Sequence, residues 1–434
     1  MTALSRPDAS RRLALAAATV LIIAGSQLGM LWLANAYLAA ERGAEVLSIE
    51  ALCGTAAILV TLPYARVLLP PELPRVLTQD RVGRWLFAFL TVCIIGELLR
   101  PNRTLEHVTT FVSFGAYYLI GVAVGRWFAT ERAAIPILPA ILTTYSAWYL
   151  VLAGFYLTGD LGFYGILPTT DVARLEFRGG FTATELPIYA GFQLPVLVYA
   201  LLTPRKPMLR WWALGLLGCA TGLIYLSASS AALAALLMVS GVSLLAKRGA
   251  SLASLARTAG MVAMTALLLL AASSGIIEST VVKLMDFLSS EGVRALIYAE
   301  LVNIIATQPM GIGKSRFVES NQFSWLGEGV FPHNNVLGIG AEMGVLAMVL
   351  FLMVCLAALT SLGRIALGRH RTAPQRVRMV VAVALGVFIY QQFRGLFQDT
   401  WVFKETYFWL GVGMGVALSW ARASKLPMLA RGAH

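Results

Sequence analysis

Twelve apolar runs, most of them long enough to cross a lipid bilayer, leave this chain few folds to choose from. A hydrocarbon core about 30 Å thick takes ~20 apolar residues of helix. Only helices and closed barrels satisfy their own backbone polar groups at that depth. Runs near that length lie at 13–37, 46–69, 84–99, 106–126, 136–158, 185–203, 209–226, 229–246, 255–275, 335–361, 378–396 and 403–421. The composition agrees: 58% of the 434 residues are hydrophobic and 13% are charged, against about 25% charged in a soluble domain. The expected fold class is an all-α polytopic membrane protein of about twelve transmembrane helices. It forms a single polytopic domain over 1–434, with a large, partly helical loop before the tenth helix. The first run exceeds the apolar core of a signal peptide and more spans follow it, so cleavage is not expected.

The charge distribution orients these spans. A net charge of +12 in a soluble protein would suggest nucleic acid; in a membrane protein it reads as basic cytoplasmic loops. With the N-terminus inside, the cytoplasmic segments hold Arg6, Arg11 and Arg12, then Arg66, Arg75, Arg81 and Arg84, then Arg126 and Arg132. Further along they hold Arg205, Lys206 and Arg210, then Lys247, Arg248 and Arg257, then five arginines from Arg364 to Arg378, then Arg422, Lys425 and Arg431. Every inside segment is basic, which supports both the count and the orientation. Both termini are then cytoplasmic, and 100–105, 159–184, 276–334 and 394–404 face outward. The expected setting is a bacterial inner membrane, with membrane lipids as partners and no nucleic acid. Cys53, Cys93, Cys219 and Cys355 all lie within apolar runs and read as small buried hydrophobes without disulfides.

The candidate chemistry gathers in the outward segments. Residues 276–334 form a polar interruption of a size that is uncommon unless functional or disordered. It is not of low complexity, and it closes on Phe331-Pro332-His333-Asn334-Asn335-Val336-Leu337. His333 stands just before the tenth span. An imidazole with a reference pKa of about 6.5 can act there as a general base. The alternative is a helix cap made by Asn334 or Asn335, with His333 a bystander. His107 beside Glu106 reads as interfacial, and His370 and His434 lie on the cytoplasmic side. Arg294 opens an amphipathic stretch to Ile305. The turn Pro309-Met310-Gly311-Ile312-Gly313 follows, then Lys314 and Arg316. The glycines of that turn allow backbone amides to approach a ligand, although it lacks the spacing of a nucleotide-binding loop. Arg174 and Arg178 lie in the other sizeable outer segment, where arginine suits bidentate phosphate binding or a lipid headgroup. Glu342, inside the tenth span, reads as a partnered structural residue, as do Glu97, Arg394 and Asp399 near the outer face. Gly340 and Gly344 have the spacing for close helix contact. No grouping of His, Asp and Glu argues for a metal, and no cofactor is expected.

These residues together resemble the O-antigen ligase family, which also contains O-antigen and exopolysaccharide polymerases. The resemblance rests on His333-Asn334-Asn335-Val336-Leu337 with Glu342-Met343-Gly344, similar to the family's His-Asn-x-x-Leu…Glu-x-Gly signature. Arg294 with its apolar helix, Pro309 to Gly313, and Arg178-Gly179-Gly180-Phe181 extend it. Two places depart from the family pattern. Leu226 to Ala231 has serines but no arginine, and Thr184-Glu185-Leu186-Pro187 stands in place of a Pro-Asn pair.

The resemblance implies glycosyl transfer on the periplasmic face, from an undecaprenyl-pyrophosphate-linked glycan donor, without metal or nucleotide sugar. His333, Arg294 and Arg178 are the implied catalytic residues, with Arg174, Lys314, Arg316, Asn334 and Asn335 binding substrate. The acceptor is a lipid A-core hydroxyl in a ligase and a lipid-linked glycan in a polymerase. Six acids against four bases between Gly275 and Asn334 lean toward the polymerase, because a phosphate-rich core should prefer a more basic surface. A transporter or flippase is the competing class. It should show inverted repeats and a midplane site, and neither is visible here.

Overall fold

The computed structural model describes residues 6–40, 49–64, 80–100, 105–131, 134–166, 173–177, 185–202, 207–227, 293–319, 332–367, 373–396, 401 and 403–423. In chain order these form α1 (Arg6–Ala40), α2 (Ile49–Thr61) with a 3-10 turn at Leu62–Tyr64, α3 (Arg81–Leu98), α4 (Leu105–Glu131) and α5 (Ala134–Leu157). Next come β1 (Leu161–Ile166), β2 (Ala173–Phe177), α6 (Glu185–Leu202) and α7 (Pro207–Leu226). The series ends with α8 (Val293–Thr307), α9 (Arg316–Glu319), α10 (Asn335–Met343), α11 (Val345–Ala366), α12 (Gln375–Arg394) and α13 (Lys404–Ala423). Among the described residues six helices are long and apolar enough to cross a membrane, in α1, α4, α5, α7, α11 and α12. The chain is thus a mostly helical protein with several helices able to span a bilayer. The expected spans at 229–246 and 255–275 lie outside the described residues, as do Arg178 and Asp399.

Two glycine pairs set the centre of the bundle. Gly121 and Gly125 on α4 face Gly411 and Gly415 on α13. A Cβ at Gly121 would overlap the carbonyl oxygen of Phe408, and one at Gly125 that of Val412. Reciprocally, a Cβ at Gly411 or Gly415 would overlap the carbonyl of Tyr118 or Val122. The two backbones therefore touch along two turns, the contact that small residues four apart permit between helices in lipid. Around this seam the aromatic rings fit closely. Phe114 stacks on Tyr407 at 4.6 Å between centroids, and Trp401 stacks on Phe111 at 6.0 Å.

Helix α3 is pinned at both ends. Asp80 caps its start by accepting from the Gly83 amide at 2.9 Å and from the Tyr118 hydroxyl of α4. Its other end carries Glu97 and leads into Arg100. At α12, the Tyr390 hydroxyl lies against Gly191 and donates to the carbonyl of Pro187 at 2.6 Å, which fixes the start of α6. Among the described residues one structure lies outside the helical pattern. The antiparallel hairpin β1–β2 runs from Leu161 opposite Phe177 to Ile166 opposite Ala173, with Gly165 facing Arg174. Phe177 packs on Phe155 of α5 at 5.3 Å, closing the hairpin over that helix end.

The expected continuous helix over 335–361 is corrected by the structure. It breaks at Gly344, whose φ of +95° favours a residue without Cβ. The amide of Val345 bonds to the carbonyl of Pro309 at 2.9 Å instead of continuing the helical ladder. A side chain at Gly344 would meet that carbonyl oxygen at 2.7 Å. Gly340 and Gly344 therefore do not share one helix face. Gly340 packs under Ile305 of α8, and Gly344 is the break.

Candidate functional site

The start of α10 is built by three consecutive polar residues with different tasks. Asn334 is the N-cap: its side-chain oxygen accepts from the amides of Val336 and Leu337, both at 3.0 Å. Such a cap contributes about 1 kcal/mol. Asn335 is buried, and its oxygen accepts from the Trp401 amide at 3.1 Å while its own amide donates to Gly395 at 2.6 Å. Trp401 is wedged among Phe89, Phe111 and Phe114, so this bond ties α10 to the rigid bundle. His333 is half-buried and has a left-handed backbone, φ +54°. That conformation is uncommon for a residue with a side chain, though His is among the enriched types. The Tyr298 hydroxyl holds it by donating to the His333 carbonyl at 3.1 Å and to that of Leu396 at 3.3 Å. Capping belongs to Asn334, so it does not account for the histidine.

Helices α8 and α10 run parallel and in step. Tyr298 meets His333, Ile305 meets Gly340, and Pro309 meets Val345. Between them lies a small apolar cluster of Ile297, Leu301, Ile304, Phe317 and Ala341, separate from the main core. On α8 the spacing of Ile297, Leu301 and Ile304 puts all three on one face. Arg294 is the second residue of α8, four before Tyr298. Positions four apart share a helix face, with Cβ atoms about 5–6 Å apart. Arg294 thus stands one turn from the residue that holds His333, at the N-terminal end shared by both helices. A cation at a helix N-terminus opposes the helix dipole, whereas an anion there is favoured. Helix stability therefore does not explain an arginine at this position.

The opposite end of α10 is closed by a residue the sequence reading did not single out. Arg100 donates through one terminal nitrogen to the carbonyls of Met310 and Gly311, both at 3.1 Å, and of Glu342 at 3.0 Å. Its other terminal nitrogen pairs with buried Glu97. Glu97 also accepts from the Lys314 amide at 3.0 Å and lies 3.3 Å from Nδ1 of His107. Glu97 is the partnered residue its position suggested, and His107 is one of its partners. The turn 308–313 completes this end, with the amides of Ile312 and Gly313 donating to Ala341 at 2.9 Å and Glu342 at 2.8 Å. These are the carbonyls that a helix C-terminus leaves without partners.

That arrangement overturns the expectation that the glycines bring amides to a ligand. The Gly311 amide bonds to Gln308 at 2.8 Å, so three amides of the turn are occupied within the protein. Gly311, at φ +75°, is needed because a Cβ would strike the backbone at Glu342 and Gly344. Lys314 and Arg316 follow this turn. They stand at the far end of α10 from His333, about 14 Å away for nine residues at 1.5 Å each. Arg174 lies on β2 opposite Gly165. Among the described residues, no group of three or more His, Cys, Asp or Glu stands together to hold a metal ion.

No curated protein matches the chain. The family model for O-antigen ligase matches residues 213–352, which include all of α8, α9 and α10 with Arg294 and His333. The motifs of the resemblance from Arg294 to Gly344 fall within that match. On residues 213–352 the chain is similar to the O-antigen ligase family.

Proposed function

We propose that the protein is a membrane glycosyltransferase that passes glycan from an undecaprenyl-pyrophosphate carrier to an acceptor hydroxyl on the periplasmic face. The observation that carries this reading is the parallel pair α8 and α10, with Arg294 and His333 at their common N-terminal end. Two parallel helices direct two positive dipole ends the same way. A pyrophosphate leaving group gains from that field and from Arg294 as its bond to the sugar breaks. Arg178 supplies the second cation. The segment that carries it leads into α6, whose start is tied to Tyr390, one turn before the Arg394–Gly395 corner that holds Asn335.

In the proposed step the acceptor oxygen forms a bond to the anomeric carbon as the carbon–oxygen bond to pyrophosphate breaks. The pyrophosphate leaves with the electron pair, and the acceptor proton passes to His333. A single displacement inverts the anomeric centre, and neither metal nor cofactor takes part. Lys314 and Arg316 stand too far along α10 to reach the same phosphates, so they bind a more distant anionic part of donor or acceptor. Arg174 binds the lipid-linked donor from the hairpin. Asn334 and Asn335 line the substrate site chiefly by holding His333 in place.

The proposed acceptor is a lipid A-core hydroxyl. A lipid-linked glycan, as in a polymerase, is the second reading, favoured by the six acids against four bases before Asn334. Glycan analysis of a deletion strain separates them. Loss of a ligase leaves polymer on its lipid carrier, and loss of a polymerase leaves single repeats. Repeats trapped inside the cell would mark a flippase and overturn the reading.

A further inference from the structure

We propose that Arg100 is a positioning residue for this reaction, holding His333 in register from the opposite end of α10. The inference rests on the glycosyl-transfer reading of His333. It concerns a residue far outside the family match, in the link between α3 and α4. Helix α10 has only nine residues and breaks at Gly344, so it is not anchored as part of a longer span. Its orientation is set at its two ends. At the C-terminal end the Arg100 guanidinium reaches Glu342 together with Met310 and Gly311, the two turn residues beside it. A cation there complements both the unpaired carbonyls and the negative end of the helix dipole.

Arg100 is itself held by the frame. Glu97 is 2% exposed and pairs with it from the end of α3, whose other end is fixed by Asp80 and Tyr118. Arg100 thus transmits the position of the scaffold to a short lever with His333 at its tip. A displacement near 1 Å at a reacting group costs on the order of 10²-fold in rate. An arginine is suited to the task because its planar fork serves the carboxylate on one side and the carbonyls on the other. A lysine retains the charge but not that geometry.

The test uses the full-length protein in detergent, with Arg100→Gln and Arg100→Lys variants. Backbone hydrogen exchange over 309–345 is measured beside kcat and KM for a lipid-pyrophosphate-linked glycan. The expected result for Arg100→Gln is faster exchange at Ile312, Gly313 and along α10. With it, kcat falls about 10²-fold at a nearly unchanged donor KM. If that variant does not fold, Arg100→Lys carries the test, with the same signature and a loss of about tenfold. Wild-type exchange and kcat in the folded lysine variant would overturn the proposal, and so would faster exchange without any loss of kcat. Absence of glycosyl transfer by the wild type would overturn the reaction and the positioning role together. The exchange data would still report separately whether Arg100 holds the helix.

Discussion

The α4–α13 seam and the α8–α10 unit both bring backbones into close contact through glycine, and they do so for opposite reasons. In the seam, Gly121, Gly125, Gly411 and Gly415 are helical residues whose missing side chains let one backbone lie against the other. At these four positions close backbone packing joins the pair. In the site unit, Gly311 and Gly344 have positive φ and end helical order, and the carbonyls exposed by that break are taken up by Arg100, Ile312 and Gly313. The seam rests on shape. The site unit is short, irregular and held by polar bonds from distant parts of the chain, as non-helical backbone near a membrane must be. Rigidity is thus built in the bundle and conveyed to the site through Trp401, Tyr298 and Arg100.

This contrast can be broken most severely at the seam. Gly121→Leu places a side chain against the Phe408 backbone and should abolish folded protein, read as loss of the monodisperse peak in detergent; a folded variant would disprove the contact. At the site the effect should fall on chemistry. His333→Asn keeps a residue type that tolerates a left-handed backbone, so the protein should fold and bind donor while turnover drops by about 10²–10⁴. Full turnover by this variant would remove the histidine from the mechanism. Arg294→Ala should cost about 2–4 kcal/mol of transition-state stabilisation in kcat/KM, with little recovery in Arg294→Lys. Equal kcat/KM for the alanine variant and wild type would sink the clamp. Tyr298→Phe gives the smallest change. Losing the hydroxyl shared by His333 and Leu396 should lower stability by about 1 kcal/mol, measurable as a small shift in Tm, and an unchanged Tm would show that the bond carries no weight.

Much of the helical frame was legible as apolar runs. The expected spans at 106–126, 136–158, 209–226 and 378–396 fall on α4, α5, α7 and α12, because length and hydropathy alone mark a helix that lipid can cover. The cap at Asn334 was equally open to view, since an asparagine before an apolar helix needs only local geometry. The break at Gly344 was hidden within an unbroken apolar run, because its cause is the Pro309 carbonyl, a contact from another part of the chain. Arg100 was hidden for the same reason, its three carbonyl partners lying more than two hundred residues away. The four-residue glycine spacing at 121–125 and 411–415 is visible in the sequence. It does not say which helix each pair faces. The distance of Lys314 and Arg316 from His333 follows from the turn at 308–313 folding onto the end of α10, which spacing along the chain cannot reveal.

In the proposed reaction His333 accepts the acceptor's proton, and the dependence of kcat on pH for the purified wild-type protein reads that step. Imidazole must be neutral to accept a proton. With saturating lipid-pyrophosphate-linked glycan, kcat should therefore be constant where the imidazole is neutral, and should fall about tenfold for each pH unit once imidazolium predominates. A plateau followed by that fall, absent from the residual activity of His333→Asn, is expected of a histidine base. A wild-type kcat that stays level through that range, with the protein still folded, would contradict it.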